Sequence, residues 1–364
     1  MILNNILSRP IQAVIDLCAL RQNLGVVRAH AKQSRVLAVI KANAYGHGVT
    51  HAARALADAG VDGFALLELD AAIALREAGF KQRIVLLEGF FNAHELPLLS
   101  AHRIDAAIHN PEQIAMLQQA PADTKLDLLI KLNTGMNRLG FSEAPFAGAL
   151  AALRATAAAG DLTLMTHFAN SDDARGVAWQ MTAFERITQG IALPRTLANS
   201  AAILRYPETH ADWVRPGIML YGATPFADVS AVQLHLKPVM TLTSKIIAVQ
   251  QLQAGDTVGY GGIYTAQRDT RIGVVACGYA DGYPRHAPNG TPAQVGNAMA
   301  VTVGRVSMDM LCVDITALPQ AQVGTRVTLW GEGNPVDDVA TACGTVGYEL
   351  LCALALRVPV LYTH

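Results

Sequence analysis

The chain has 364 residues, 51% hydrophobic and 16% charged, with a mean hydropathy of +0.27. Its 28 Lys and Arg residues against 29 Asp and Glu residues leave a formal charge of −1, which gives no electrostatic case for nucleic acid or an anionic membrane. The five scattered cysteines lack a Cys-x-x-Cys spacing, the histidines form no metal-ligand cluster, and no apolar run reaches transmembrane length. The opening Met1–Pro10 lacks the basic and apolar segments of a secretory leader, so a soluble cytoplasmic protein with one large and one smaller domain is expected.

In chain order, the first part alternates strand-like apolar runs with alanine-rich amphipathic segments. Strands are predicted near Val36–Ile40, Gly63–Leu67, Ile84–Glu88, Asp105–Ile108, Asp127–Leu132, Leu162–His167, Thr196–Ala198 and Ile218–Tyr221. Helical patterns lie at Leu17–Ala31, Ala52–Ala59, Ala71–Ala78, Pro111–Gln119, Phe146–Ala159 and Ala174–Thr188. Eight such units point to a closed parallel (β/α)8 barrel over residues 8–235. A doubly wound sheet is disfavoured, because the segment after the first strand is no Gly-x-Gly-x-x-Gly. After Lys237-Pro238 the pattern changes to β-branched runs at Val239–Leu252, Arg271–Ala276, Met299–Val303, Leu311–Ile315 and Arg326–Leu329. One helical window follows, at Thr341–Leu356. Residues 236–364 are therefore read as a mainly β domain, which residues 1–7 are placed to join.

The stretch Ala38-Val-Ile-Lys41-Ala-Asn-Ala-Tyr45-Gly-His-Gly48 sets a lysine at the carboxyl end of a buried strand, where barrels of this type keep their chemistry. A desolvated lysine there makes a Schiff-base nucleophile; the plainer alternative is a lysine that snorkels to solvent. Phosphate sites in such barrels often follow strands seven and eight, where Asn199-Ser200 and Arg215-Pro-Gly217-Ile218 stand. Ser200 supplies a hydroxyl at a helix start and Gly217 lets the backbone approach an anion; an ordinary N-cap and a turn glycine remain the alternative.

Further motifs follow in order: Lys131-Leu-Asn-Thr-Gly-Met-Asn-Arg-Leu-Gly140, Thr166-His-Phe-Ala-Asn170, Ala198-Asn-Ser200, Val214-Arg-Pro-Gly-Ile218, Gly259-Tyr-Gly-Gly-Ile-Tyr-Thr-Ala266, Gly278-Tyr-Ala-Asp-Gly-Tyr283 and Gly304-Arg-Val-Ser-Met-Asp309. With the Lys41 segment they span nearly the whole chain, which in this order resembles the alanine racemases. The resemblance implies a pyridoxal 5'-phosphate (PLP) enzyme that interconverts L- and D-alanine, for cell-wall supply or for catabolism of one isomer. It implies that Lys41 carries the cofactor and that Tyr45, Ser200, Gly217, Ile218 and Tyr348 contact its phosphate.

By the same resemblance Arg215 faces the pyridine nitrogen. A guanidinium does not give up its proton, so the ring nitrogen stays an acceptor and the ring a weaker electron sink. A racemase needs a proton carrier on each face; the resemblance names Lys41 for one and Tyr260 for the other. A phenol, with an ordinary pKa of about 10, needs help to act as a base, and Arg215 linked through His167 is the implied source. Read alone, Tyr260 caps a β-turn and His167 is a satisfied core histidine.

Arg138 is implied as the anchor of a substrate carboxylate and Lys131 as a carbamylated lysine that orients it; the family's usual aspartate two residues on is Asn133 here. Met308 offers a backbone N–H or fills core, and Tyr279 and Asp309 line the same wall. A head-to-tail homodimer with shared sites is implied, with no metal. Two other classes stay open: a non-enzymatic PLP-binding barrel, which would lack the second domain, and a decarboxylase of the same architecture, which would set a carboxylate where Arg215 stands.

Overall fold

The computed structural model describes residues 9–364. The sequence expectation for residues 1–7 lies outside these. The first strand is β1 (Gln12–Asp16), followed by a helix at Leu17–His30 whose start is capped by the Asp16 carboxylate, accepting from Ala19 N–H at 3.0 Å. Eight parallel strands then close a barrel: β2 (Arg35–Val39), β3 (Gly63–Leu66), β4 (Arg83–Leu86), β5 (Asp105–Ile108), β6 (Leu126–Lys131), β7 (Ala159–Met165), β8 (Arg195–Thr196) and β9 (Trp213–Val214). Strands such as β3 and β5 are buried at every position, as strands walled by helices outside and by the barrel core inside must be.

The second unit contains β10 (Met240–Leu252), β11 (Thr257–Val258), β12 (Tyr264–Thr265), β13 (Thr270–Val275), β14 (Pro292–Val295), β15 (Ala298–Val303), β16 (Leu311–Asp314), β17 (Arg326–Trp330) and β18 (Val360–Thr363). Its main sheet runs β13-β16-β15-β14-β17-β10-β1-β18, and β13 also pairs with β10, so six strands close on themselves. The barrel followed by a mainly β unit agrees with the sequence expectation.

Three details differ. The segment Ile218–Tyr221 is a buried 3-10 turn, and the eighth barrel strand is Trp213–Val214. Four consecutive buried apolar residues mimic a strand, whereas the real strand is only two residues long. The shift moves Arg215, Gly217 and Ile218 to the loop after the last strand. Next, β1 falls in the stretch read as barrel, yet it pairs antiparallel with β10 and parallel with β18. Its alternating burial marks it as half-covered sheet rather than barrel wall. Finally, the window Thr341–Leu356 is two short helices, Val336–Ala342 and Gly347–Cys352, separated by Gly344 in the left-handed region (φ 69°).

The junction after β2 is unusual. Ala42, Asn43, Ala44 and Tyr45 all have φ between 52° and 55°, a full left-handed turn directly after Lys41. This backbone costs a non-glycine residue about 1–2 kcal/mol, so surrounding contacts must hold it. Asn43 Oδ1 accepts from Val49 N–H at 2.9 Å, which joins the turn to the helix Val49–Asp58. Gly46 follows at φ 81°; a Cβ there would lie 2.2 Å from the Leu351 carbonyl, so the helix Gly347–Cys352 sits directly on the turn.

Candidate active site

A cavity of about 1070 Å³ opens at the carboxyl ends of the barrel strands. Lys41, Tyr45, Lys131, Arg138, His167, Ser200, Arg215, Gly217, Ile218 and Tyr348 all line it. They come from distant parts of the chain, and the barrel gathers them. Lys41 follows β2, Lys131 ends β6, and His167, Ser200 and Arg215 follow β7, β8 and β9.

One end of the cavity gathers hydroxyls and a close-approaching backbone. Ser200 Oγ accepts from Gly217 N–H at 2.9 Å, which frees the hydroxyl proton to donate elsewhere. Asn199 caps the six-residue helix that starts at Ser200, by accepting from Ala202 N–H at 3.0 Å. In the 3-10 turn the first bond runs from Leu220 N–H to the Gly217 carbonyl, so Ile218 N–H precedes it. A Cβ on Gly217 would lie 2.7 Å from Tyr45 Oη, so only glycine lets that hydroxyl and this backbone converge. The Tyr45 ring lies 6.0 Å from that of Tyr348, and burial pushes both phenols up in pKa, which keeps them donors.

Arg215 is 3% exposed. Its guanidinium donates to Thr196 Oγ1 at 2.7 Å, to the Thr166 carbonyl at 2.6 Å and to the Leu197 carbonyl at 3.2 Å. Burial lowers its pKa to about 10, and it stays charged at neutral pH. His167 Nδ1 lies 3.5 Å from Arg215 Nη2. Burial, then Arg215, holds its pKa well below the usual histidine range, so the ring is neutral. Facing an obligate donor, Nδ1 carries the lone pair and Nε2 the proton.

Lys131 is 6% exposed, and burial, then Arg215 and Arg138, lower its pKa to about 8. Glu88 opposes that shift, and it too lines the cavity. Arg138 makes no ion pair among the described residues. Asn133 binds the local backbone instead of either cation, accepting from Gly135 and Asn137 N–H at 3.0 Å.

Tyr348 apart, the β-domain residues named from the sequence, Tyr260, Tyr279, Met308 and Asp309, do not line this cavity within one chain. Tyr260 sits at the tip of the β11–β12 hairpin and is 71% exposed, with Gly259, Gly261 and Gly262 at positive φ around it. It therefore stands in a β-turn, as the plainer reading has it, with its ring free of the core. Tyr279 and Met308 are exposed neighbours: Tyr279 N–H donates to the Ser307 carbonyl and Ala280 N–H to that of Met308. Core filling is therefore excluded for Met308, 53% exposed. Asp309 Oδ1 accepts from Arg357 at 2.7 Å, and Arg357 also binds the buried carboxylate of Asp281.

Several residues of the site escaped the sequence reading. Thr166 and Thr196 hold Arg215, and Thr166 was visible only as the first residue of a motif. Tyr221, misread as strand, stacks on Tyr45 at 4.7 Å and donates to the Val39 carbonyl at 2.9 Å. Among the described residues no group of acidic, His and Cys side chains is arranged for a metal, and no helix is long and apolar enough to cross a membrane.

The sequence matches the family model of the alanine racemase N-terminal domain over residues 15–225 and that of its C-terminal domain over residues 239–362. It is 56% identical to an alanine racemase of Nitrosospira multiformis, covering 96% of this chain and 99% of that one. A catabolic alanine racemase of Klebsiella aerogenes is 54% identical, over 97% and 99% of the two chains. The crystal structure of the biosynthetic alanine racemase from Pseudomonas aeruginosa superposes with a TM-score of 0.95 at 47% identity, covering 98% of this chain and all of that one. The chain therefore belongs to the alanine racemase family.

Proposed function

We propose that the barrel cavity binds PLP on Lys41 and that the protein interconverts L- and D-alanine, as a cytoplasmic homodimer whose sites are completed by the partner's β domain. The observation that carries this reading is a single cavity that joins Lys41, a buried guanidinium and an anion cradle that a Cβ on Gly217 would fill. Tyr45, Tyr348, Ser200, Gly217 and Ile218 suit a phosphate. Arg215 suits a ring nitrogen that only accepts.

When bound, PLP draws electrons from the amino acid it holds and so acidifies its α-proton. The chain's own residues do the rest. Lys41 Nζ takes or returns the proton on one face, and the Tyr260 phenol of a second copy serves the other. Arg138 clamps the substrate carboxylate with its fork, assisted by Met308 N–H, while Tyr279 and Asp309 form the wall. Arg215 keeps the ring nitrogen unprotonated, which limits electron withdrawal and so restrains transamination and elimination. Buried among cations, Lys131 has a neutral fraction at physiological pH. Its amine adds to carbon dioxide, forming an N–C bond and losing a proton, and the resulting carbamate anion balances Arg138.

Turnover distinguishes the readings. L-Alanine incubated with holoenzyme is expected to yield D-alanine, detected with D-amino-acid oxidase, until the isomers are equal. Carbon dioxide release without D-alanine would mean a decarboxylase, and PLP binding without turnover a carrier. Borohydride reduction of the holoenzyme followed by peptide mapping is expected to label Lys41; a label on another lysine overturns the assignment. Gly217→Val is expected to weaken PLP binding by about tenfold or more, because its side chain collides with Tyr45 Oη. Unchanged affinity in an absorbance titration would remove Gly217 from the phosphate cradle.

A further inference from the structure

One buried titratable side chain next to Lys41 has no part in the chemistry above. His47 is 0% exposed. Its Nδ1 lies 2.8 Å from the Tyr45 carbonyl and 3.0 Å from the Ala44 carbonyl. Carbonyls only accept, so Nδ1 carries a proton. The other nitrogen, Nε2, is buried without a partner among the described residues, which excludes a second donor role within the chain. Burial lowers the pKa of the ring to about 4, so it is neutral under ordinary conditions.

The two carbonyls belong to the left-handed turn Ala42–Tyr45. Among the described residues the Tyr45 carbonyl receives no other hydrogen bond; the Ala44 carbonyl also takes His47 N–H at 3.1 Å. The imidazole ring packs against Tyr221, tilted by 31° with the ring centroids 4.7 Å apart. Tyr221 in turn stacks on Tyr45 and holds the Val39 carbonyl, two residues before Lys41. A strained turn thus has its lysine at one end, its phosphate-side tyrosine at the other, and one donor bridging its last two carbonyls.

We propose that His47 is a positioning residue: its Nδ1–H locks the left-handed turn and so sets Lys41 and the Tyr45 hydroxyl in register with the cofactor. The inference rests on the reading of Lys41 as the PLP lysine. That reading fails separately, if wild-type protein is not labelled at Lys41 by borohydride in the presence of PLP.

Three substitutions separate the donor from the bulk of the ring. In His47→Asn the amide nitrogen overlays Nδ1, in His47→Gln it overlays Nε2, and His47→Phe keeps an aromatic ring against Tyr221 and removes both nitrogens. The readouts are PLP affinity of the apoenzyme, kcat and KM for alanine, and the unfolding midpoint. His47→Asn is expected to bind PLP within about threefold of wild type, whereas His47→Gln and His47→Phe bind at least about tenfold more weakly, the loss of a net hydrogen bond or two. In those two kcat falls while KM stays, because Arg138 is untouched. A purely structural role would lower the unfolding midpoint in all three and leave the difference in affinity between Asn and Gln at zero. Equal affinities in all three variants, or retention by Gln with loss in Asn, overturns the proposal. If His47→Phe does not fold, the Asn and Gln pair still decides.

Discussion

Lys41→Ala is expected to lower racemisation in both directions by at least about 10⁴-fold, because on the proposed reading one substitution removes the covalent anchor of PLP and the proton carrier of one face. Proton carriers alone are commonly worth about 10²–10⁴. The fold should survive, since Lys41 is only half-buried and stands outside the barrel core. PLP would still meet Tyr45, Ser200, Gly217 and Tyr348, so weak non-covalent binding is expected without the visible absorption of a lysine-bound cofactor. Initial rates with each enantiomer check this. Retention of more than about a hundredth of wild-type activity would place the essential amine elsewhere, and Lys131 would be the first candidate.

Tyr260→Phe is expected to lose racemisation in both directions but α-proton exchange on only one hand of the substrate. Lys41 remains, so D-alanine should still exchange its α-proton with deuterated solvent, while exchange from L-alanine should fall by about 10²–10⁴-fold. The ring itself is 71% exposed in one chain, so loss of a hydroxyl disturbs no packing there. Proton NMR of each enantiomer in deuterium oxide measures the two rates separately. Equal losses for both would reject the assignment of two carriers to two faces.

Much of the barrel is legible from the sequence because its strands are continuous apolar runs closed by turn residues. Asp105–Ile108 is found at its observed bounds for that reason. The last barrel strand is not, since Trp213–Val214 offers only two residues and the neighbouring Ile218–Tyr221 is uniformly buried without being a strand. Periodicity reports burial, and a packed turn is as buried as a barrel wall. The same limit hid β1, whose pairing with β10 and β18 depends on residues more than 200 positions away.

The site divides in a similar way. Lys41, Ser200, Arg215 and Gly217 sit at strand ends, so fold geometry and motif lead to one cavity. Lys131 is recognisable as a lysine in an apolar strand, but the depression of its pKa arises first from burial and then from Arg215 and Arg138, an environment that the folded barrel creates. Tyr260, Tyr279 and Met308 carry no signal of their surroundings, because within one chain they face solvent. His47 stands in the Ala38–Gly48 motif, yet nothing in its spacing reveals that its ring reaches back to two carbonyls of a left-handed turn.

Those exposed residues bear on the central claim, a site built from the barrel of one chain and the β domain of another. Subunit mixing tests it most directly. Lys41→Ala and Tyr260→Phe, each inactive in the L-to-D direction, are combined under conditions that allow exchange. A mixed dimer then has one site with both lesions and one with neither. Random exchange makes half the dimers mixed, so activity should recover to about a quarter of wild type. If each site came from a single chain, every site would keep one lesion, and mixing with confirmed exchange would restore nothing.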